Sequence, residues 1–304
     1  QAVYDVVKIR PGLLKVSQTR LAMGTYVTMT AIHASIDHAE EAIGQAFEEI
    51  DRLVAIFNRH EDTTPVATLN RNGILQEPPP ELVALLRRST YFHRISSGAF
   101  DVTVKPLLDQ NHRPSSEDIR SRLDLINANH LEVTPKRIRF LRPGMGITLD
   151  GIAKGYIVDR ASQTLADAGI DRHLINAGGD IRTRGTQDED KPWTIAIQDP
   201  DKKGKYPDVL RLTTGAVATS GNYEVYYDRE RVYHHLIDPH TGRSPQQNTS
   251  VSVTADTVLE ADALSTAVFV LDHAEGLRLI EGLAGTACLI IDEQGHALRS
   301  RRWL

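Results

Sequence analysis

The stretch that most constrains this chain is Val251 to Leu271, VSVTADTVLEADALSTAVFVL. It opens as an alternating strand (Val251, Val253) and continues as an apolar helix from about Val258 to Leu271. Asp262 and Thr266 lie four residues apart in that helix, so carboxylate and hydroxyl share one face. Their neighbours Ala261, Ala263, Leu264, Ala267 and Val268 are small or apolar, so the pair faces something other than bulk water. Hard oxygen ligands in such a place suit Mg²⁺, which takes one or two carboxylates plus substrate phosphates. Asp262 as a helix cap and Thr266 bonded to its own backbone is the simpler reading, and on this stretch alone the better one. Motifs elsewhere in the chain overturn it.

A length of 304 residues allows one large or two modest domains with ample core. The net charge of −5 argues against a general nucleic-acid binder, which carries a basic excess. Arg299, Arg301 and Arg302 read as a solvated terminus. The single cysteine, Cys288, excludes an internal disulfide and sits in the apolar run TACLII as a core residue. It leaves the compartment open, since exported bacterial proteins also lack disulfides. No run approaches the roughly 20 apolar residues of a membrane span. The chain begins at Gln1 with nothing resembling a signal peptide, as expected of a processed mature form or a trimmed chain.

Taken in order, residues 1 to 14 read as an extended lead-in with a turn at Pro11-Gly12. LKVSQTRLA and TYVTMTAI read as strands, joined tightly through Met23-Gly24-Thr25. Ile36 to Phe57 has the spacing of a long amphipathic helix. Arg59 to Pro80 is polar and turn-rich, with VATLN inside it, and a second helix follows over Glu81 to Ser96. Residues 109 to 124 read as loop or short helix, and Leu131 to Thr148 as a hairpin punctuated by Pro143-Gly144. A third helix spans Gly151 to Ala168, with Gly169 as its C-cap. Strands follow at HLINA, Trp193 to Gln198, Val209 to Leu212 and Ala216 to Thr219. Tyr223 to Tyr227 and Val232 to Ile237 fit a hairpin, and a helix (Ala274 to Leu283) and strand (Thr286 to Asp292) close the chain. Strands in adjacent groups separated by helices favour an α+β fold with largely antiparallel sheet.

Three segments carry chemistry. In DGIAKGYIVD, Asp150 to Asp159, free backbone N–H groups at a helix start, its dipole and Lys154 would attract phosphate. A glycine-rich turn into a surface helix explains that segment equally well. In NAGGD, Asn176 to Asp180, paired glycines allow a bulky ligand close approach, and Asp180 has the means to accept from a ring N–H or ribose hydroxyl. A tight turn is the commoner use of Gly-Gly. In ATSGNYEVYY and YHHLIDPHTG, a histidine beside an Asp-Pro turn suits a general base or a phosphate contact. Lone histidines are more often structural, but a His-His pair near a strand end is less easily dismissed.

MGT at 23, SGAFD at 97, GIAKGYIVD at 151, NAGGD at 176, ATSGNYE at 218, HHLIDPHTG at 234 and EADALSTAVFVL at 260 occur in the order seen in the ApbE family. The chain resembles those FAD:protein FMN transferases from about Leu21 to Leu271. The resemblance implies a T-fold-like α+β architecture, with residues 1–20 as an N-terminal extension and 21–304 as one FAD-binding domain. It implies Mg²⁺-dependent cleavage of the FAD pyrophosphate, transfer of FMN to a Ser or Thr hydroxyl of a target flavoprotein, and release of AMP. The expected partner belongs to an exported or membrane-bound electron-transfer system, which makes the periplasm the expected compartment.

Carried over by position, Asp262 and Thr266 match the family's metal-binding side chains, with a backbone carbonyl near Ala153. His235 matches the histidine proposed to activate the acceptor hydroxyl, which makes His235 and Asp262 the expected catalytic residues. Met23, Gly24, Thr25, Lys154, Asp159, Gly178, Gly179, Asp180, Thr219 and Ser220, with His235, fall where the family lines its FAD pocket. A diphosphate calls for a divalent cation and a lysine to stabilise charge in phosphoryl transfer. Two departures stand out. Family members usually read Asp-Leu-Gly-Gly before IAKG, where this chain has Thr148-Leu149-Asp150-Gly151, and the added carboxylate bears on Mg²⁺ geometry and phosphate repulsion. The usual Trp-Gly-Phe is replaced within LLDQNHRPSS, a region expected to govern target or flavin contacts. FAD pyrophosphatase and non-catalytic FAD binding or delivery are the alternatives to transfer.

Overall fold

The computed structural model describes residues 3–109, 115–198, 206–222, 234 and 236–303. In chain order these form β1 (Val3–Arg10), β2 (Leu13–Ala22), β3 (Thr25–His33), α1 (Ile36–Phe57), α2 (Pro65–Asn72), β4 (Ile74–Gln76), α3 (Pro80–Ile95), α4 (Lys105–Leu108) and α5 (Ser116–Leu123). Then come β5 (Leu131–Val133), β6 (Arg137–Phe140), α6 (Ala153–Asp167), β7 (His173–Ala177), β8 (Asp180–Arg184), β9 (Trp193–Ala196), β10 (Val209–Leu212) and β11 (Gly215–Gly221). The chain ends with β12 (Asn248–Ala255), α7 (Val258–Val270), α8 (His273–Glu281), β13 (Ala287–Asp292) and β14 (Ala297–Arg299).

The fold is α+β, built on a nine-stranded sheet in the order β1-β2-β3-β7-β8-β11-β12-β13-β14. Every neighbouring pair in it is antiparallel. Residues 3–10 are more than a lead-in: they pair with β2 (Val6 opposite Val16), turning at Pro11-Gly12 as expected. β2 pairs with β3 from Leu14–His33 to Ala22–Thr25, so this stretch belongs to the main sheet. β9 and β10 form a separate ribbon, and β4, β6 and β5 a small sheet.

The expected hairpin over 131–148 is shorter and turns elsewhere. β5 meets β6 across Thr134 to Lys136, where Thr134 accepts the Arg137 N–H through its hydroxyl. Pro143-Gly144 lies after both strands. VATLN is helical, started by the Thr64 cap with Pro65 behind it and stopped by Gly73 in the left-handed conformation. The hairpin expected from Tyr223 to Tyr227 and Val232 to Ile237 falls mostly outside the described residues.

α7 is buried nearly all round, because its apolar residues occupy every face. It packs on β11 and β12 and also against α6 and α8. α6 in turn packs on α1. The main core runs through these layers and includes Cys288, whose burial pushes its thiol up to about 11. Among the described residues no helix is long and apolar enough to cross a membrane.

Candidate active site

The site begins with the approach of α6 to α7. A Cβ on Gly155 would stand 2.6 Å from the Val258 carbonyl oxygen and 2.8 Å from Leu259 Cα, so glycine permits the contact. The Gly155 N–H then donates to Asp262 Oδ2 at 3.0 Å. Ile152 offers α6 no side-chain cap, and the Asp262 carboxylate supplies one from another helix. The expectation of free N–H groups at this helix start needs correction. Ile152 and Ala153 donate to Leu149 O, and Tyr156 donates to Ile152 O, because the chain turns into the helix through its own 149–152 carbonyls. The basic group at this helix start is Lys154, whose Nζ lies 3.3 Å from the buried Asp180 Oδ2.

Lys154 and Asp180 line a cleft of about 730 Å³, part of it open to solvent, together with Thr219, Ser220, Asp262 and Thr266. Asp180 reaches it as the first residue of β8, a strand missed in the sequence. Ser220 Oγ lies 2.8 Å from Ser265 Oγ and 3.4 Å from Thr266 Oγ1, tying the end of β11 to α7. Thr219 Oγ1 lies 2.7 Å from Ser252 Oγ on β12. The structure thus brings together six of the expected residues.

The others sit differently. Ala153 is the first residue of α6. Met23 and Gly24 form the two-residue loop between β2 and β3, with φ of 52° and 72°. A left-handed methionine costs about 1–2 kcal/mol. Thr25 presses on Gly178, where a Cβ would stand 2.5 Å from Thr25 Oγ1. Gly178 and Gly179 line a second hollow, which shares Thr219 with the cleft. Asp159, expected in the pocket, is not among the residues lining it. Its carboxylate accepts the N–H groups of Val258 (3.0 Å) and Leu259 (2.8 Å) and anchors the start of α7. Burial pushes that carboxyl up to about 6, against the pull of those two bonds.

His235 lies outside the described residues. Its neighbour His234 is buried, with Nε2 2.9 Å from Pro245 O and its ring edge-on to Phe269, so this histidine serves packing. The turn at Asp238-Pro239-His240-Thr241-Gly242 closes through a Gly242 N–H to Asp238 O bond. His240 Nε2 lies 3.0 Å from Ser97 O, which ties that turn to the 97–101 loop.

Several lining residues were not anticipated, among them Phe100, Asp101, Leu236 and Ile237. Asp101 is buried and accepts from Thr103 N, Thr103 Oγ1 and Ala128 N, with His93 Nδ1 3.0 Å away. That carboxylate raises the His93 pKa against the opposing effect of burial. The Asp-x-Thr spacing signals the cap, but nothing local signals His93.

Asp262 and Thr266 face the cleft as i and i+4 of α7. A Cβ on Gly151 would stand 3.0 Å from Thr266 Oγ1, so the missing side chain keeps space open beside the hydroxyl. Among the described residues no three His, Cys, Asp or Glu side chains group to hold a metal ion alone. One carboxylate and one hydroxyl facing the cleft from a single helical turn fit a cation that completes its shell with water and phosphate oxygens.

Comparison with known proteins finds relatives along most of the chain. The sequence profile of the ApbE family matches residues 23–290. The FAD:protein FMN transferase of Escherichia coli K12 is 31% identical over 282 residues, covering 86% of this chain and 78% of that protein. The FAD:protein FMN transferase of Vibrio cholerae is 29% identical over 244 residues, 76% of this chain and 70% of that one. The crystal structure of the ApbE protein of Thermotoga maritima superposes with a TM-score of 0.86 at 29% identity, over 98% of this chain and 97% of the other. The apo flavinyl transferase ApbE of Pseudomonas stutzeri gives 0.85 at 25% identity, over 97% of each chain. The chain belongs to the ApbE family.

Proposed function

We propose that this chain is an FAD:protein FMN transferase that depends on Mg²⁺. The observation that carries the reading is the facing of Asp262 and Thr266 on α7 with Lys154 and Asp180 across one cleft. Names of its relatives support the same activity. Asp262, Thr266 and the Ala153 carbonyl are the proposed holders of the cation. Mg²⁺ bound there would neutralise charge on the diphosphate oxygens during phosphoryl transfer.

The chain's own residues do the rest. Lys154 presents its ammonium to the diphosphate, and Asp180 holds it in place from a buried position. The acceptor hydroxyl oxygen bonds to the phosphorus of the FMN half, and the P–O bond to the AMP phosphate breaks. AMP leaves with the bridging oxygen, and the hydroxyl proton passes to a base. His235, assigned by resemblance, takes that role, and its neighbour Leu236 lines the cleft. The proposed acceptor is a flavoprotein of an exported or membrane-bound electron-transfer system, and the proposed compartment is the periplasm.

The test is the intact mass of a candidate acceptor flavoprotein after incubation with the chain, FAD and Mg²⁺. Transfer gives an acceptor heavier by one FMN moiety, with AMP in solution. Free FMN with AMP would instead make the chain a pyrophosphatase, and unchanged FAD would leave it a binding protein.

A further inference from the structure

The cleft holds a carboxylate that the proposed chemistry does not use. Asp150 lines it one residue before Gly151, whose backbone lies against Thr266. An unopposed anion there competes for the cation and repels a diphosphate. It is opposed by Arg59, from the connection after α1, whose Nη2 donates to Asp150 Oδ2 at 3.2 Å. Arg59 is held deep, its side chain 14% exposed against 54% for Asp150. Its Nη1 lies 3.9 Å from Asp109 Oδ1, and Lys105 pairs with Asp109 in turn. Four charges of alternating sign therefore run outward from the cleft-lining Asp150. The Arg59 Nε is buried with no hydrogen-bond partner among the described residues. The guanidinium is therefore held by its carboxylates and not by a full donor-acceptor fit.

We propose that Arg59 and Asp150 form a positioning pair: Arg59 draws the Asp150 carboxylate to the rim, out of the path of the FAD diphosphate and its cation. The inference rests on the FAD reading above. A purely structural ion pair on this rim would leave FAD affinity alone. A positioning pair makes the loss on removing Arg59 depend on Asp150 being charged.

The test measures FAD affinity by flavin fluorescence, with Mg²⁺ at low salt, for the wild type, Arg59→Ala, Asp150→Asn and the double variant, with melting curves for each. The expected result is about a tenfold loss for Arg59→Ala, shrinking as salt screens the freed carboxylate. Asp150→Asn alone stays within about twofold, and the double variant returns to within about twofold of wild type. Arg59→Lys, which keeps the charge, retains most of the affinity and serves where Arg59→Ala melts early. An undiminished loss in the Asp150→Asn background overturns the pair, since Arg59 then acts on FAD directly. No loss in Arg59→Ala, or a large one in Asp150→Asn alone, overturns it too. Wild-type protein that fails to bind FAD overturns the underlying reading and this inference with it, a result distinct from the other three.

Discussion

The backbone N–H of Gly155 donates to the carboxylate of Asp262 at 3.0 Å, joining the first turn of α6 to the middle of α7. One side chain thereby closes a helix and faces the cleft. The cap expected of Asp262 on its own helix is made by Thr257 instead; Asp262 caps α6, and its service as a cation ligand is the proposal made above.

Asp262→Ala is expected to abolish Mg²⁺-dependent turnover and to lower stability by about 1–2 kcal/mol through the lost cap. The protein stays folded, because α6 remains packed on α1 and α7. Turnover against Mg²⁺ concentration and a denaturant titration read the two effects separately. Turnover near wild type would remove the metal assignment.

Gly155→Ala tests the same contact from the other side. The new methyl group would meet the Val258 carbonyl at 2.6 Å, so the backbones of α6 and α7 must shift apart. We expect a loss of about 1–3 kcal/mol, the usual cost of overpacking, and a weaker apparent Mg²⁺ affinity as the two helices part. A melting temperature equal to wild type would mean that the helices separate freely.

Two histidines, His173 buried and His93 partly so, give stability opposite dependences on pH. His173 sits between Ser162 Oγ (2.7 Å) and Ile170 O (2.8 Å), and burial brings its pKa from 6.5 to about 4. Its contribution is present above pH 6.5 and is lost as pH falls through about 4, on the order of 3 kcal/mol. His93 beside Asp101 is raised above 6.5, so its contribution is present below that pH and fades as pH rises through the raised value. Denaturation midpoints from pH 4 to 8 should show the acid loss in wild type and a flatter acid limb in His173→Gln. An equal slope in both would place the acid sensitivity elsewhere.

His235→Ala is expected to slow FMN transfer far more than it weakens FAD binding, by about 10²–10⁴-fold if it serves as a general base. Single-turnover rates with saturating FAD, beside a binding titration, make the comparison. Equal losses in both would make it a binding residue.

Elements with a strong period were readable in advance. The alternation of TYVTMTAI gave β3, and the spacing of Ile43, Ile50 and Phe57 gave α1. Errors came where punctuation misled or was overlooked. Pro143-Gly144 is a stronger turn signal than Thr134 to Lys136, yet the chain turns at the weaker one. Thr64-Pro65 marks a helix start that polar composition concealed. Cleft-lining residues on local motifs, such as Lys154, Asp180 and Thr266, were legible because glycine and short spacing mark them. Arg59 was not: it stands outside the lining and meets the cleft's Asp150 from 91 residues away, while His93 acts only on the lining Asp101. Asp159 shows the converse: its motif is local, but its partners are Val258 and Leu259, 99 and 100 residues on.

The seclusion of α7 bears on how a ligand would be received. Asp262 and Thr266 ride on a rod clamped between sheet and helices, so their spacing is settled when the chain folds. A cation arriving there need not freeze two wandering side chains, and little rotamer freedom remains to be lost on association.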